Sequence, residues 1–352
     1  MDYKSTLESL IMALIGQGGS DLHIAATRKP AIRVAGQLLF LAVPKEYSQE
    51  ETLGVLGEML GKEKLAEFLK NKEIDFSYSF RDSHRLRGNA FFQRGVTSIV
   101  LRLIPEAKSF DELRLPQVLE TFARKQQGFF LVVGPVGQGK STTMSAMISL
   151  INKERAAHIV TIEDPIEFIY TPDKSIIDQR EVGIDTLDFT TALRSAFRED
   201  VNVIMIGEMR SPETIATAVT AAETGHLVIA TLHTNNASQT IDRIIDSFPA
   251  GQQDQIRIQL SASLLGIFSQ RLVPAIAGGR VPAFELLINN NAVSNLIREK
   301  RTHEIDTVIE TGFQNGMIDM NRSLLELVQK GEITMESAYQ YSVNPKALEQ
   351  LL

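Results

Sequence analysis

The sequence predicts an α/β protein of two units, a smaller α+β unit followed by a larger one built on a parallel sheet. Three observations predict this. The chain has 352 residues, and at roughly 150 residues per domain that length favours two. Four near-continuous apolar runs, Gly128–Val133, His158–Ile162, Val203–Ile206 and Leu227–Leu232, alternate with helical patterns, as expected of parallel strands buried on both faces. Earlier in the chain, Ile74, Phe76, Tyr78 and Phe80 alternate with Asp75, Ser77 and Ser79. That period of two marks a half-buried strand of a different kind of sheet. The expected boundaries are 1–105 for the first unit, 106–116 for a connector and 117–352 for the second unit with its C-terminal helices.

The elements follow in order. Leu7, Leu10, Ile11, Leu14 and Ile15 fall at i, i+3, i+4, i+7 and i+8, one stripe of an amphipathic helix that Gly16, Gly18 and Gly19 close. Asp21–Ala25 and Pro30–Gly36 read as short strands between turn residues. Ser48 with Glu51 forms a capping-box pattern ahead of a helix reaching about residue 70. Arg85–Gln93 and Ser98–Ile104 flank Arg94-Gly95 as a hairpin. The connector holds two prolines and several acids with little apolar periodicity. From Asp319 on, Leu324, Leu325, Leu327 and Val328 give a helical pattern that Gly331 ends.

Composition narrows the function. With 36 Lys and Arg against 43 Asp and Glu, the net charge is −7, which argues against broad nucleic-acid binding, since neutralising phosphates needs excess cations. There are no cysteines, so disulfides, Cys-ligated zinc, iron–sulfur clusters and thiol nucleophiles are excluded together. No run of 18 apolar residues is present, and a soluble cytosolic protein is expected.

The strongest motif is Gly134-Pro135-Val136-Gly137-Gln138-Gly139-Lys140-Ser141, followed by Thr142. It matches G-x-x-x-x-G-K-[ST] throughout, after a strand and before a helix with Met144, Met147, Ile148 and Ile151 on one face. The glycines let backbone N–H groups turn inward around a β-phosphate, and the helix points its positive end at the same anion. Lys140 adds a full charge at the β- and γ-phosphates, and the Ser141 hydroxyl reaches Mg²⁺. ATP and Mg²⁺ are the expected ligands.

Downstream, Glu163, Asp164 and Glu167 sit within five residues at the end of a buried strand. Carboxylates there can hold a metal-bound water or accept a proton from an attacking one. The apolar run Val203–Ile206 ends in Gly207-Glu208, so that Glu208 can hold a Mg²⁺-bound water, with Ser141 and Glu163 as further metal candidates. His226 and His233 bracket the run Leu227–Leu232 and can sense a γ-phosphate or orient water. Seven residues apart on a strand, they cannot form a helical zinc pair.

Taken together, GPVGQGKSTT, TIEDPIEF, QREVGIDT, LRSAFRED, GEMRSPET, TAAETGHLVIATLHT and IDRIIDSFP stand in the order seen in secretion-superfamily ATPases, and the chain most resembles the PilT-like type IV pilus motors. SDLHIA and RLRGNAF, Arg85–Phe91, resemble that family's PAS-like N-terminal domain. The resemblance spans about residues 20 to 330. It implies a RecA-like P-loop ATPase domain behind the smaller domain. It also implies Glu167 as general base, Glu208 as the Walker B acid, and His226 and His233 in a His box. Arg243, Arg87 and Arg102 match arginines that family members bring toward nucleotide, some across a subunit boundary. A hexameric ring on the cytoplasmic face of the inner membrane is implied, engaging a pilus platform protein and, in some cases, a second pilus motor ATPase.

The chain departs from the family in one segment. Retraction motors carry a stretch near AIRNLIRE, which here reads Ala292-Val293-Ser294-Asn295-Leu296-Ile297-Arg298-Glu299. The absent cysteines and the short N-terminal unit point away from the extension and type II secretion ATPases, which usually carry a four-cysteine module. The leading reading is an ATP-hydrolysing motor that retracts a type IV pilus. An accessory PilU-like motor is the alternative, and a RecA-like nucleic-acid translocase or a non-hydrolysing scaffold are more distant ones.

Overall fold

A computed structural model describes residues 2–43, 45–81 and 84–351. The chain divides into two compact units, Met1–Glu106 and Ala107–Leu352.

In the first unit, α1 (Tyr3–Gly16) leads into β1 (Asp21–Ala25), β2 (Ala31–Val34) and β3 (Gln37–Phe40). Then come α2 (Gln49–Asn71), β4 (Glu73–Phe80), β5 (His84–Gln93) and β6 (Val96–Leu103). Among the described residues the strands form one antiparallel sheet in the order β3-β2-β1-β6-β5-β4. The stripe of α1 buries Leu7, Leu10, Ile11 and Leu14 against Leu22, Ile24, Ile32, Leu86 and Ile99 of the sheet. The capping box at Ser48 forms as the spacing predicts, with Glu51 returning a bond to the Ser48 N–H. Strand β3 carries exposed Leu38, Leu39 and Phe40 and escapes a reading based on alternation, because neither of its faces is buried.

In the second unit, α3 (Phe110–Leu113) and α4 (Val118–Ala123) precede β7 (Gly128–Val133), α5 (Lys140–Glu154), β8 (His158–Glu163) and β9 (Ile176–Glu181). Next are α6 (Phe189–Ala196), β10 (Val203–Ile206), α7 (Pro212–Glu223), β11 (Leu227–Leu232), α8 (Ala237–Asp246) and α9 (Ala250–Ser263). The long pair β12 (Leu264–Pro274) and β13 (Arg280–Ile288) is followed by α10 (Asn291–Arg298), α11 (Ile305–Thr311), α12 (Met320–Gln329), α13 (Met335–Tyr341) and α14 (Pro345–Gln350). The sheet order is β13-β12-β7-β11-β10-β8-β9. The four predicted apolar runs lie in its middle as parallel neighbours, their side chains filling a core on each face.

One expectation is corrected. The sheet is mixed rather than all parallel, because β13 runs antiparallel to β12 at one edge. A five-residue turn, 275–279, whose Gly278 and Gly279 both have positive φ, joins the two strands, and only antiparallel strands can be joined so closely. The expected connector 106–116 carries structure of its own. Ser109 and Glu112 make a second capping box around α3, and Phe110 and Leu115 are buried in the second unit's core. Two apolar anchors in so short a segment outweigh its prolines. Among the described residues no helix is long and apolar enough to cross a membrane.

Candidate active site

Ligands of open α/β sheets bind outside the carboxyl ends of the strands, and here those ends carry the phosphate loop and the acids. The loop leaves β7 at Gly134, whose φ is 146°, and a Cβ there would lie 2.5 Å from the Gln270 carbonyl oxygen. Glycine is therefore required both by conformation and by the approach of β12. Gln270 does more. Its Nε2 donates to the Gln138 carbonyl at 2.8 Å, and its Oε1 accepts from the Thr143 hydroxyl at 2.6 Å. The Leu272 N–H donates to Gln138 Oε1 at 2.7 Å. The neighbouring strand thus fixes the loop. Sequence reasoning missed Gln270, although a lone amide inside the apolar run LLGIFSQRLV was a readable signal.

Lys140 opens α5 and is buried. Its Nζ donates to the carbonyls of Gly134 and Pro135 at 2.8 and 2.9 Å and lies 3.2 Å from His233 Nδ1. Burial pulls its pKa below the ordinary lysine value, while Glu208 and Glu167 oppose that shift. An ammonium has only donors, so Nδ1 of His233 is the acceptor and its proton sits on Nε2. That Nε2 faces Glu208 Oε1 at 3.3 Å, and Glu208 Oε2 accepts from Arg210 at 2.8 Å. The Arg210 guanidinium is the main cause that holds Glu208 below the usual carboxylate range. Lys140, His233, Glu208 and Arg210 therefore form one chain of contacts.

Glu163 ends β8 and is 6% exposed. Its Oε1 accepts from the Thr161 hydroxyl at 2.7 Å and from Gln179 at 3.3 Å, and its Oε2 faces the Glu167 N–H at 3.4 Å. Burial pushes its pKa up to about 7. It was expected as a metal ligand. Both of its oxygens are engaged by the chain itself, and the structure makes it the anchor of the turn that carries exposed Glu167. Among the described residues no three His, Asp or Glu side chains converge as a metal cage. Ser141 and Glu208, both on the cavity wall, offer the oxygen donors that suit a hydrated Mg²⁺.

One cavity of about 370 Å³ gathers most of the expected residues. Its wall includes the loop from Val136 to Thr142, with Glu163, Glu167, Glu208 and His233. It also includes Arg280 of β13, which sequence reasoning did not single out. Four other expectations fall elsewhere. His226 lies at the opposite end of β11, roughly 20 Å away at a strand's rise per residue. Its Nδ1 is 3.0 Å from the Ala221 carbonyl and its ring stands edge-on to Phe197. It locks the α7–β11 turn and cannot reach a nucleotide at the far end. Arg243 is exposed on α8, on the face opposite buried Ile241, Ile244 and Ile245, and is outside the cavity. Arg87 and Arg102 belong to the first unit, where they are direct cross-strand partners on β5 and β6. Arg102 donates to Asp21 at 2.8 Å.

A phosphate loop at the switch of a RecA-like sheet, faced by an acid pair and a histidine, defines a P-loop ATPase. The family model described as "Type II/IV secretion system protein" matches residues 5–340, and the chain belongs to that family. It is similar to the twitching motility protein of Neisseria gonorrhoeae, 45% identical over 321 residues, 91% of this chain and 86% of that one. It is 43% identical over 332 residues to the type IV pilus retractation ATPase PilT of Pseudomonas aeruginosa, covering 94% of this chain and 96% of that one. A crystal structure of the pilus retraction motor PilT with bound ADP superposes with a TM-score of 0.88 at 45% identity, covering 97% and 98% of the two chains.

Proposed function

We propose that this chain is the ATP-hydrolysing motor of a type IV pilus and drives pilus retraction. The observation that carries this reading is the convergence of Lys140, Glu167, Glu208 and His233 on one cavity in a chain similar throughout its length to PilT. In this reading the loop amides and Lys140 hold the β- and γ-phosphates. Glu167 is exposed to the cavity and takes a proton from the attacking water. Glu208 and Ser141 hold Mg²⁺, whose chemistry is to neutralise phosphate charge. His233 ties the phosphate-binding lysine to the Walker B acid, so a change at the phosphate is felt at Glu208. Among the described residues the site has no arginine near it other than Arg280 and Arg210 to stabilise transition-state charge. Arg87 and Arg102, offered by a neighbouring copy, complete it. The working species is accordingly a ring, six-fold by resemblance, at the cytoplasmic face of the inner membrane. There it engages a membrane platform protein.

One observation favours the accessory reading. Ser294 stands where the resembling segment has arginine, and its hydroxyl is turned inward, 2.9 Å from the Ser261 carbonyl and 3.1 Å from Asn289 Oδ1. The test of the first reading is deletion of the gene in its host, complemented with wild type or Lys140→Ala, with pili imaged live. Pili that extend but never retract, rescued only by wild type, support the motor. Normal retraction in the deletion strain rejects it.

A further inference from the structure

Glu285 of β13 and Ser269 of β12 are direct partners across the antiparallel pair, and both are buried, at 6% and 1% exposure. Neither belongs to the cavity wall. Both reach the turn that follows β11. The Ser269 hydroxyl donates to the Asn235 carbonyl at 2.8 Å, and Glu285 Oε1 accepts from the Ala237 N–H at 2.8 Å. Ala237 is the first residue of α8, so Glu285 satisfies one of the amides that a helix start leaves unpaired. Asn236 satisfies another by accepting from the Gln239 N–H.

We infer that Glu285 and Ser269 are positioning residues for His233, acting by clamping the turn between that histidine and α8. His233 follows directly on Leu232, the last residue of the fixed strand β11, and the clamp begins two residues later at Asn235. With both ends of so short a span tied, the imidazole is held between Lys140 and Glu208. A displacement of about 1 Å at such a group can cost on the order of 10²-fold in rate. The next residue of β12, Gln270, holds the phosphate loop through Gln138 and Thr143. The β12–β13 edge is therefore a common base for both sides of the site. A buried acid is otherwise a poor choice here. Burial acts most strongly against its charge, Asp306 of α11 and Asp319 at the start of α12 add to that, and besides the Ala237 N–H that it accepts from, Arg271 of β12 favours the charged form. An apolar side chain would usually be tolerated as well or better, unless the acceptor is needed.

This inference rests on the reading of His233 as part of the ATP site. Its test is single-turnover ATP hydrolysis with Glu285→Ala, Glu285→Gln, Ser269→Ala, His233→Ala and the Glu285→Ala/His233→Ala pair. Thermal unfolding and ATP affinity are measured in parallel. Glu285→Gln keeps the acceptor oxygen and should keep at least half the rate. Glu285→Ala should lower the rate about tenfold or more with KM for ATP within about twofold, and Ser269→Ala should follow in the same direction. In the His233→Ala background the Glu285→Ala change should cost less than about twofold, because its route to the chemistry is already gone. If Glu285→Ala costs the same factor in both backgrounds, the clamp does not act through His233 and the inference is wrong, although the site reading stands. If His233→Ala itself hydrolyses at the wild-type rate, the site reading falls and the inference with it. Should Glu285→Ala not fold, Ser269→Ala paired with His233→Ala gives the same cycle, and additive losses there overturn the inference.

Discussion

Lys140 is the residue whose chemistry has no substitute. Its ammonium is held on two loop carbonyls and against His233, while its stem adds little to either core. Lys140→Ala should therefore leave circular dichroism unchanged and drop phosphate release to background, and substantial turnover would remove residues 134–141 from the site. The acids divide by environment. Glu167 is exposed on the cavity, whereas Glu208 is held ionised by Arg210. Glu167→Gln should keep Mg²⁺·ATP binding and lose on the order of 10²–10⁴-fold in rate, the range of a lost general base. Glu208→Gln should in addition raise the Mg²⁺ concentration needed for half activity. Mild, equal effects of both would reject the division. Glu163 gives a pH signature. Its pKa rises from 4.5 to about 7 on folding. Below 4.5 both folded and unfolded chains hold the proton. Between 4.5 and 7 only the folded chain does, so stability falls as pH rises through that window. The loss approaches about 3 kcal/mol above pH 7 at 1.36 kcal/mol per unit. Glu163→Gln should flatten that part of the stability–pH curve measured by denaturant unfolding, and an unchanged slope would show that Glu163 is not held protonated.

At the scale of elements, β12 does what the phosphate loop cannot do alone. A loop of three glycines has wide conformational freedom, and Gln270 with Leu272 removes it through three hydrogen bonds. Gly134 is where the two meet. A methyl group there would press on the Gln270 backbone at 2.5 Å, and alanine rarely adopts its φ. Gly134→Ala should cost about 1–3 kcal/mol of stability and weaken binding of a fluorescent ADP analogue at least tenfold. Retained affinity in a titration would mean that β12 does not shape the loop. Helix ends follow local rules more reliably. Both capping boxes, at Ser48 and Ser109, are formed by residues three apart in sequence, so a capping pattern is legible in the amino-acid order alone. At Ser48 a long helical pattern follows and marks the cap. At Ser109 only a four-residue helix follows, between two prolines, and no periodicity distinguishes it from a loop.

At the scale of the whole molecule, the two units are each complete around a core of their own, and the arginines assigned to the chemistry are divided between them. Arg87 and Arg102 lie side by side on one sheet, away from any loop that a single-residue reading would call a site. If they serve a neighbour's ATP, an Arg87→Ala/Arg102→Ala protein and a Lys140→Ala protein, each inactive alone, should recover part of the activity when mixed. Each mixed interface can then pair an intact loop with intact arginines. Size-exclusion chromatography would show whether mixed rings form, and mixed rings without activity would refute the exchange of arginines.

The sequence by itself determined the features that depend on near neighbours along the chain. These are the phosphate loop and its flanking strand and helix, the four buried strands, the stripe of α1 and the cap of α2. Each rests on periodicity or on side chains a few residues apart, and such interactions are local. It also raised Glu167, Glu208 and His233 as candidates, together with Glu163, Asp164 and His226, because acids and histidines at the ends of apolar strands can sit at a ligand-binding edge of a sheet. What it could not decide was which end of a strand faces which neighbour. His226 and His233 look equivalent as brackets of one strand, and only parallel pairing of β11 with β7 puts one beside Lys140 and the other far from it. Gln270 and Arg280 lie more than a hundred residues from the loop, and Ser269 and Glu285 lie 34 and 48 residues from their partners Asn235 and Ala237. Their roles exist only because β12 and β13 are added to the sheet beside β7. Contacts at that separation leave no periodic trace, so the tertiary structure alone brings them to the site.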